Sequence, residues 1–145
     1  FVLKKEIENT FLIKDIIKLL KAQVIDRNDL RQSLMVINNM TNEVKEGRNY
    51  VIFPEGTRSK NGNNLLDFKG GSFKSAVNAK CPIIPVAIIN SYKVLDNKSI
   101  RKVDVYITYL KPIKYEEYCN LNTKEIAELS KKSIEKYILE KINKK

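Results

Sequence analysis

A chain of 145 residues can form one domain with a real core, hiding about 70% of the surface its unfolded form exposes. Its 43% apolar and 30% charged residues are ordinary for a globular protein, but 27 Lys and Arg against 17 Asp and Glu leave a net charge of +10. That excess points to phosphate esters, nucleic acid or an acidic membrane face, unless it only reflects a composition rich in Lys, Asn and Ile. With no histidine in the sequence, no mechanism that needs an imidazole base can be completed from these residues. Cys81 and Cys119 form no C-x-x-C pair, so neither a zinc site nor a redox motif is indicated, and both read as free thiols.

In chain order, residues Glu6 to Lys21 predict a helix, with Ile13, Ile16, Ile17 and Leu20 on one face and Lys14, Lys18 and Lys21 along another. Such a helix suits an anionic membrane surface, or equally a core with its lysines turned to water. Ala22 to Ile25 predicts a short strand. Asp29 is placed to cap the next helix, Gln32 completing a capping-box-like pair, with Leu30, Leu34, Ile37 and Val44 as its apolar stripe and Gly47 as its stop. Asn49 to Phe53 predicts a buried strand ending at Pro54. Glu55 to Asn64, with an Asn61-Gly62 turn, reads as loop.

Gly71 to Ala79 suits a short helix, and Ile83 to Ile89 a central strand. That run is interrupted by Pro85 and is far too short to span a bilayer. Val103, Val105 and Ile107 alternate as in another strand. From Thr123 the tail predicts a helix carrying Ile126, Leu129, Ile134, Tyr137 and Ile138, capped by Asn122 or Thr123. Strands separated by helices imply an α/β fold with a mainly parallel central sheet flanked by helices. Ligands of such sheets sit at the carboxyl ends of strands, where Asp26-Arg27 and Pro54 to Arg58 fall.

The segment Phe53-Pro54-Glu55-Gly56-Thr57-Arg58-Ser59 carries the most chemistry. A strand end and a rigid Pro are followed by a Gly that lets backbone approach a ligand, then by a hydroxyl and a guanidinium suited to bidentate phosphate recognition. Taken as residues alone it could equally be a turn in which Glu55 and Arg58 pair with each other or with neighbours.

The same seven residues match letter for letter the third motif of the glycerolipid acyltransferases, and the chain resembles in particular the 1-acylglycerol-3-phosphate acyltransferase family. Ile25-Asp26-Arg27 resembles the end of that family's second motif, with Lys4-Lys5 matching its upstream Lys pair. Phe68-Lys69-Gly70 matches the residues that usually follow the third motif. Cys81 to Val86 resembles the fourth motif, and Pro112-Ile113 the family's late strand exit. The first motif, His-x-x-x-x-Asp, whose histidine is the general base, is not among these residues. Because the chain also starts at Phe1, it is expected to be a single acyltransferase domain, 1–145, truncated at its N-terminal side. Phe11, Lys14 and Lys21 stand where relatives usually carry Pro, Gly and Gly.

The resemblance implies a glycerol-3-phosphate acyltransferase-like fold. It also implies transfer of an acyl chain from acyl coenzyme A or acyl-acyl carrier protein to lysophosphatidate, giving phosphatidate in phospholipid synthesis. No bound cofactor or metal is implied, and no catalytic residue is assigned within the chain. The implied substrate-binding residues are Lys4, Lys5, Arg27, Glu55, Gly56, Thr57, Arg58, Ser59 and Lys69. Arg58 and one of the two N-terminal lysines lead as phosphate ligands, with Glu55 orienting Arg58 or meeting a glycerol hydroxyl. The partners expected are a lysophospholipid acceptor, an acyl thioester donor and the cytoplasmic face of a membrane, bound peripherally. Another glycerolipid acceptor, or an inactive homologue, is the alternative. Against a nucleic-acid module, the basic residues are spread along the chain and no stacking-aromatic motif stands out.

Overall fold

The computed structural model describes residues 1–5, 11, 13–26, 28–96 and 102–143. They gather into two units, Phe1–Phe53 with Lys74–Cys81, and Pro54–Phe73 with Pro82–Lys145.

In the first unit, β1 (Val2–Lys4) pairs in parallel with β2 (Gln23–Ile25), Leu3 opposite Val24. The β1 strand is absent from the sequence reading, since three residues show no periodicity. Between them lies α1 (Ile13–Leu19); the expected helix began earlier, but residues 6–10 and 12 lie outside those described. Its end is a Schellman motif in which Lys21 N–H donates to Lys18 O and Ala22 N–H to Ile17 O. Lys21 holds the left-handed position of that motif, φ +46°, which ordinarily favours glycine.

Helix α2 (Leu30–Lys45) begins where Asp29 accepts the Gln32 N–H at 3.0 Å. Gln32 does not close a capping box. Its side chain instead accepts the Asp26 N–H at 2.9 Å and donates to Val24 O at 2.8 Å, tying the exit of β2 to the first turn of the helix. The buried face also differs from the expected stripe. Val36, Met40 and Thr41 are buried, whereas Leu30 is 74% exposed and Leu34 is exposed too. Contacts with β2 and with α3 (Lys74–Ala79) select that face. Asn49 to Phe53 does not pair as a strand: among the described residues β2 has β1 as its partner, and no ladder reaches this segment.

In the second unit, β3 (Val86–Ile89) and β4 (Tyr106–Tyr109) run antiparallel, Val86 opposite Tyr109 and Ile89 opposite Tyr106. An isolated bridge between Ile83 and Ile113 extends the pairing. The mainly parallel sheet expected from the sequence is therefore not what the described residues form. They make one parallel pair and one antiparallel pair, because β4 returns along β3 after α4 (Tyr92–Asp96). Next come α5 (Tyr115–Tyr118) and α6 (Thr123–Ile142), which Asn122 caps by accepting from Lys124 and Glu125 N–H while Glu125 answers with a reciprocal bond.

One face of this small sheet packs on α6. Ala87, Ile89, Ile134 and Ile138 form the core there, with Leu65, Phe68, Leu110 and Tyr137 against them. Gly70 opens a 3-10 turn (Gly70–Phe73) that lies on the start of α6, and a Cβ there would come within 3.1 Å of Thr123 O. Any larger residue would crowd the Thr123 carbonyl there, so the close approach favours glycine.

Candidate functional site

The motif loop belongs to the second unit and is closed by its own hydrogen bonds. Lys69 N–H donates to Pro54 O at 2.8 Å, drawing the two ends together. Inside that neck, Glu55 Oε2 accepts the Leu66 N–H at 2.8 Å. Ser59 Oγ donates to Asn64 O at 2.8 Å and accepts the Asn61 N–H at 3.2 Å, while Asn64 N–H turns back to Asn61 O. Gly56, at φ +74°, takes the left-handed bend that sends the chain outward after Glu55. Asn63 Oδ1 accepts the Asn90 N–H at 2.8 Å, joining the loop tip to the end of β3.

Most polar groups of the loop are therefore spent on its shape. Thr57, Arg58 and Lys69 are exposed. Among the described residues neither the Arg58 guanidinium nor the Lys69 ammonium has a hydrogen bond or ion pair. Among the described residues no hydrogen bond or ion pair joins Glu55 to Arg58, one of the two roles the sequence left open for Glu55 beside contact with a glycerol hydroxyl. Its carboxylate is a structural acceptor for backbone eleven residues on, a partner no local pattern reveals. What remains is a folded loop with an uncommitted planar fork of donors at its surface, an arrangement that can receive an oxyanion.

Among the first-unit candidates, Lys5 has a described carboxylate partner. Lys5 Nζ meets Asp26 Oδ2 at 3.1 Å, and Asp26 Oδ1 accepts the Asn28 N–H at 3.0 Å. Those contacts, the Asn28 N–H first and Lys5 second, hold the Asp26 carboxyl below its ordinary range. Ser33 Oγ donates to Asp26 O at 2.8 Å, fixing the turn. Lys4, half-buried on β1, makes no ion pair among the described residues, so of the two lysines it is Lys5 that is committed to a carboxylate. Arg27 lies outside the described residues.

A third cluster escaped sequence reasoning. Glu43 accepts from Gln23 Nε2 at 2.9 Å and from the Tyr50 hydroxyl, and it pairs with Arg48. Arg48 also donates to Leu20 O and Lys21 O, and its guanidinium lies 5.0 Å from the Tyr50 ring centroid. Glu43 and Arg48, with Leu19, Leu20, Lys21 and Glu46, border an open depression of about 510 Å³.

Three kinds of comparison bear on this arrangement. The "Acyltransferase" family model matches residues 1–89. Among curated relatives, a probable 1-acyl-sn-glycerol-3-phosphate acyltransferase of Mycoplasma pneumoniae is 36% identical over 98 residues, 68% of this chain and 36% of that protein. The 1-acyl-sn-glycerol-3-phosphate acyltransferase of Salmonella typhimurium is 34% identical over 118 residues, 81% of this chain and 48% of that protein. The chain thus spans less than half the length of these relatives. In fold it is similar to the crystal structure of the 1-acyl-sn-glycerophosphate acyltransferase PlsC from Thermotoga maritima, at a TM-score of 0.68 and 24% identity, over 94% of this chain and 56% of that one. With well over half of its residues matched by the family model, the chain belongs to the Acyltransferase family.

Proposed function

We propose that this chain is the acceptor-binding part of an O-acyltransferase that converts lysophosphatidate to phosphatidate. The observation that carries the reading is Arg58, exposed and without a partner among the described residues, on a loop most of whose polar groups are consumed in holding its shape. The relatives' names as 1-acyl-sn-glycerol-3-phosphate acyltransferases support it.

In the reaction, the free glycerol hydroxyl of the acceptor attacks the carbonyl carbon of the acyl thioester. A C–O bond forms, the C–S bond breaks, and the hydroxyl proton passes through a base to the departing thiolate. The donor is acyl coenzyme A or acyl-acyl carrier protein. A phosphomonoester carries nearly two negative charges at neutral pH, so Arg58 receives it in a fork and Lys69 adds charge beside the loop neck. Lys4, Lys5 and Arg27 stay in the proposal on the strength of the motif match alone. The sequence holds no imidazole, so what these residues supply is positioning. The organisation proposed is a single acyltransferase domain over 1–145.

The experiment is conversion of lysophosphatidate to phosphatidate with either thioester donor. The 145-residue chain alone should give no turnover above a protein-free control, and the same residues joined to a segment carrying His-x-x-x-x-Asp should turn over. Activity of the chain alone would mean a base other than imidazole. An inactive joined protein that is folded would remove the enzymatic reading.

No helix among the described residues is long and apolar enough to cross a membrane. The proposed attachment is peripheral, at the cytoplasmic face, through α1. Leu19 is 82% exposed beside the exposed Ile16, with Lys14 and Lys18 exposed on another side of the helix, and Phe11, ahead of the helix, is 88% exposed. Near an anionic leaflet each lysine contributes about 1 kcal/mol, a salt-sensitive attraction. Sedimentation with vesicles should show binding to anionic but not neutral lipid, weakening as salt is added. Equal binding to both, unmoved by salt, would reject this mode.

A further inference from the structure

The motif loop is closed by its own backbone, but its placement on the second unit is set by α6. Leu65 and Phe68 sink into the core formed with Ile134 and Ile138, and Gly70 lies flush on Thr123. Between these two contacts Lys131 Nζ donates to Asp67 Oδ1 at 2.8 Å. The exposure of the pair is lopsided: the Lys131 side chain is 15% exposed and that of Asp67 88%. The lysine's aliphatic stem is thus covered while its ammonium emerges to meet the loop from beneath. Glu135, one turn along α6, lies 3.7 Å from the same ammonium and helps keep it in place.

We propose that Lys131 is a positioning residue for phosphate recognition, anchoring Asp67 so that the loop presents Arg58 and Lys69 to the acceptor's phosphate. The inference rests on the reading of Arg58 given above. It assigns a role to α6, which lies beyond the segment matched by the family model. The electrostatics agree with the geometry. Lys131 first, and Lys69 more weakly, hold the Asp67 carboxyl below its ordinary range, and Asp67 raises the Lys131 ammonium in turn.

Lys131 could influence a bound anion without positioning anything, simply through its charge, and the two modes differ in sign at Asp67. If only the field matters, Lys131→Met weakens anion binding and Asp67→Asn, which removes a negative charge, strengthens it. If the pair holds the loop, both substitutions weaken binding, and the double variant is no worse than the weaker single one.

The test titrates the 145-residue chain with glycerol 3-phosphate, using glycerol as the phosphate-free control. Lys131→Met and Asp67→Asn should each weaken binding by about 2- to 5-fold, the range of a largely solvated ion pair, and Lys131→Arg should restore most of it. Amide exchange supplies a readout that needs no ligand. In Lys131→Met the Leu66 and Lys69 N–H groups, bonded across the loop, should exchange faster while those of Ile134 and Ile138 do not change. Tighter binding by Asp67→Asn overturns the proposal in favour of a field effect. Equal acceleration of the Ile134 and Ile138 amides overturns it in favour of general destabilisation. Arg58→Ala is run alongside: unchanged glycerol 3-phosphate affinity there defeats the phosphate reading itself, and loop exchange still decides whether Lys131 holds the loop.

Discussion

Arg58→Ala should lower kcat/KM for lysophosphatidate by about 10- to 150-fold when these residues are joined to a segment carrying His-x-x-x-x-Asp. The range follows from losing a charge-assisted contact of roughly 1.5–3 kcal/mol, at about 1.4 kcal/mol per tenfold. Because the guanidinium has no partner within the described protein, the substitution should leave the melting temperature unchanged, which separates loss of a ligand contact from loss of fold. Arg58→Lys should recover only part of the activity, since an ammonium keeps the charge and loses the fork. The decisive comparison uses a monoacylglycerol, an acceptor without phosphate, which wild type and Arg58→Ala should acylate about equally. Equal slowing of both acceptors, with the fold intact, would show that Arg58 does not bind the phosphate.

Glu55 belongs to a different role from the one its place in the motif suggests. Its carboxylate receives the Leu66 N–H, so Glu55→Gln, which keeps an acceptor oxygen, preserves the bond that shapes the loop. The motif's residue types were legible because Phe53 to Ser59 is a specific string. The bond across the loop was not, because loop closure is set by backbone path rather than by side-chain spacing. Asp67 and Lys131 lie further still from the reach of local pattern, 64 residues apart in the chain.

The helices divide along the same line. Thr123–Ile142 was legible from its start, since Asn122 caps it and makes reciprocal bonds with Glu125. For Leu30–Lys45 the cap and the Gly47 stop were legible, but the buried face was not. Leu30 and Leu34 satisfy a helical period as well as Val36 and Met40 do, and only the approach of α3 and β2 chooses between them. Alternation predicted a strand at Val103 to Ile107, but the ladder runs over Tyr106–Tyr109, where backbone groups of β3 are available to pair. Asn49 to Phe53 shows the converse: strand-like residues form no strand where no ladder among the described residues reaches them.

The largest stability effect is expected at Arg48. Its side chain is 28% exposed, pairs with Glu43, stacks on Tyr50 and donates to the carbonyls of Leu20 and Lys21. Those carbonyls belong to the turn that ends α1, where Lys21 sits in the left-handed region without the glycine that would relax there. Arg48→Met keeps the stem and removes every donor, so it should cost about 2–3 kcal/mol, or roughly 10 °C in Tm. Lys21→Gly should act in the opposite sense, gaining about 1 kcal/mol by releasing the strain. The cluster also predicts a pH signature. The Tyr50 hydroxyl first, then Arg48 and Gln23, outweigh desolvation and hold the Glu43 carboxyl below its ordinary value. A carboxyl depressed on folding contributes stability that is present above its unfolded pKa and is lost as pH falls through its folded pKa. Urea unfolding of wild type should therefore weaken as pH drops below the usual glutamate range, and Glu43→Gln should remove part of that slope while lowering stability at neutral pH. Tyr50 is raised, chiefly by burial and then by Glu43, so its contribution is present below the unfolded tyrosine pKa and fades as pH rises through the folded one. An unchanged acid slope in Glu43→Gln, or an Arg48→Met variant as stable as wild type, would show that the first unit does not depend on this clamp.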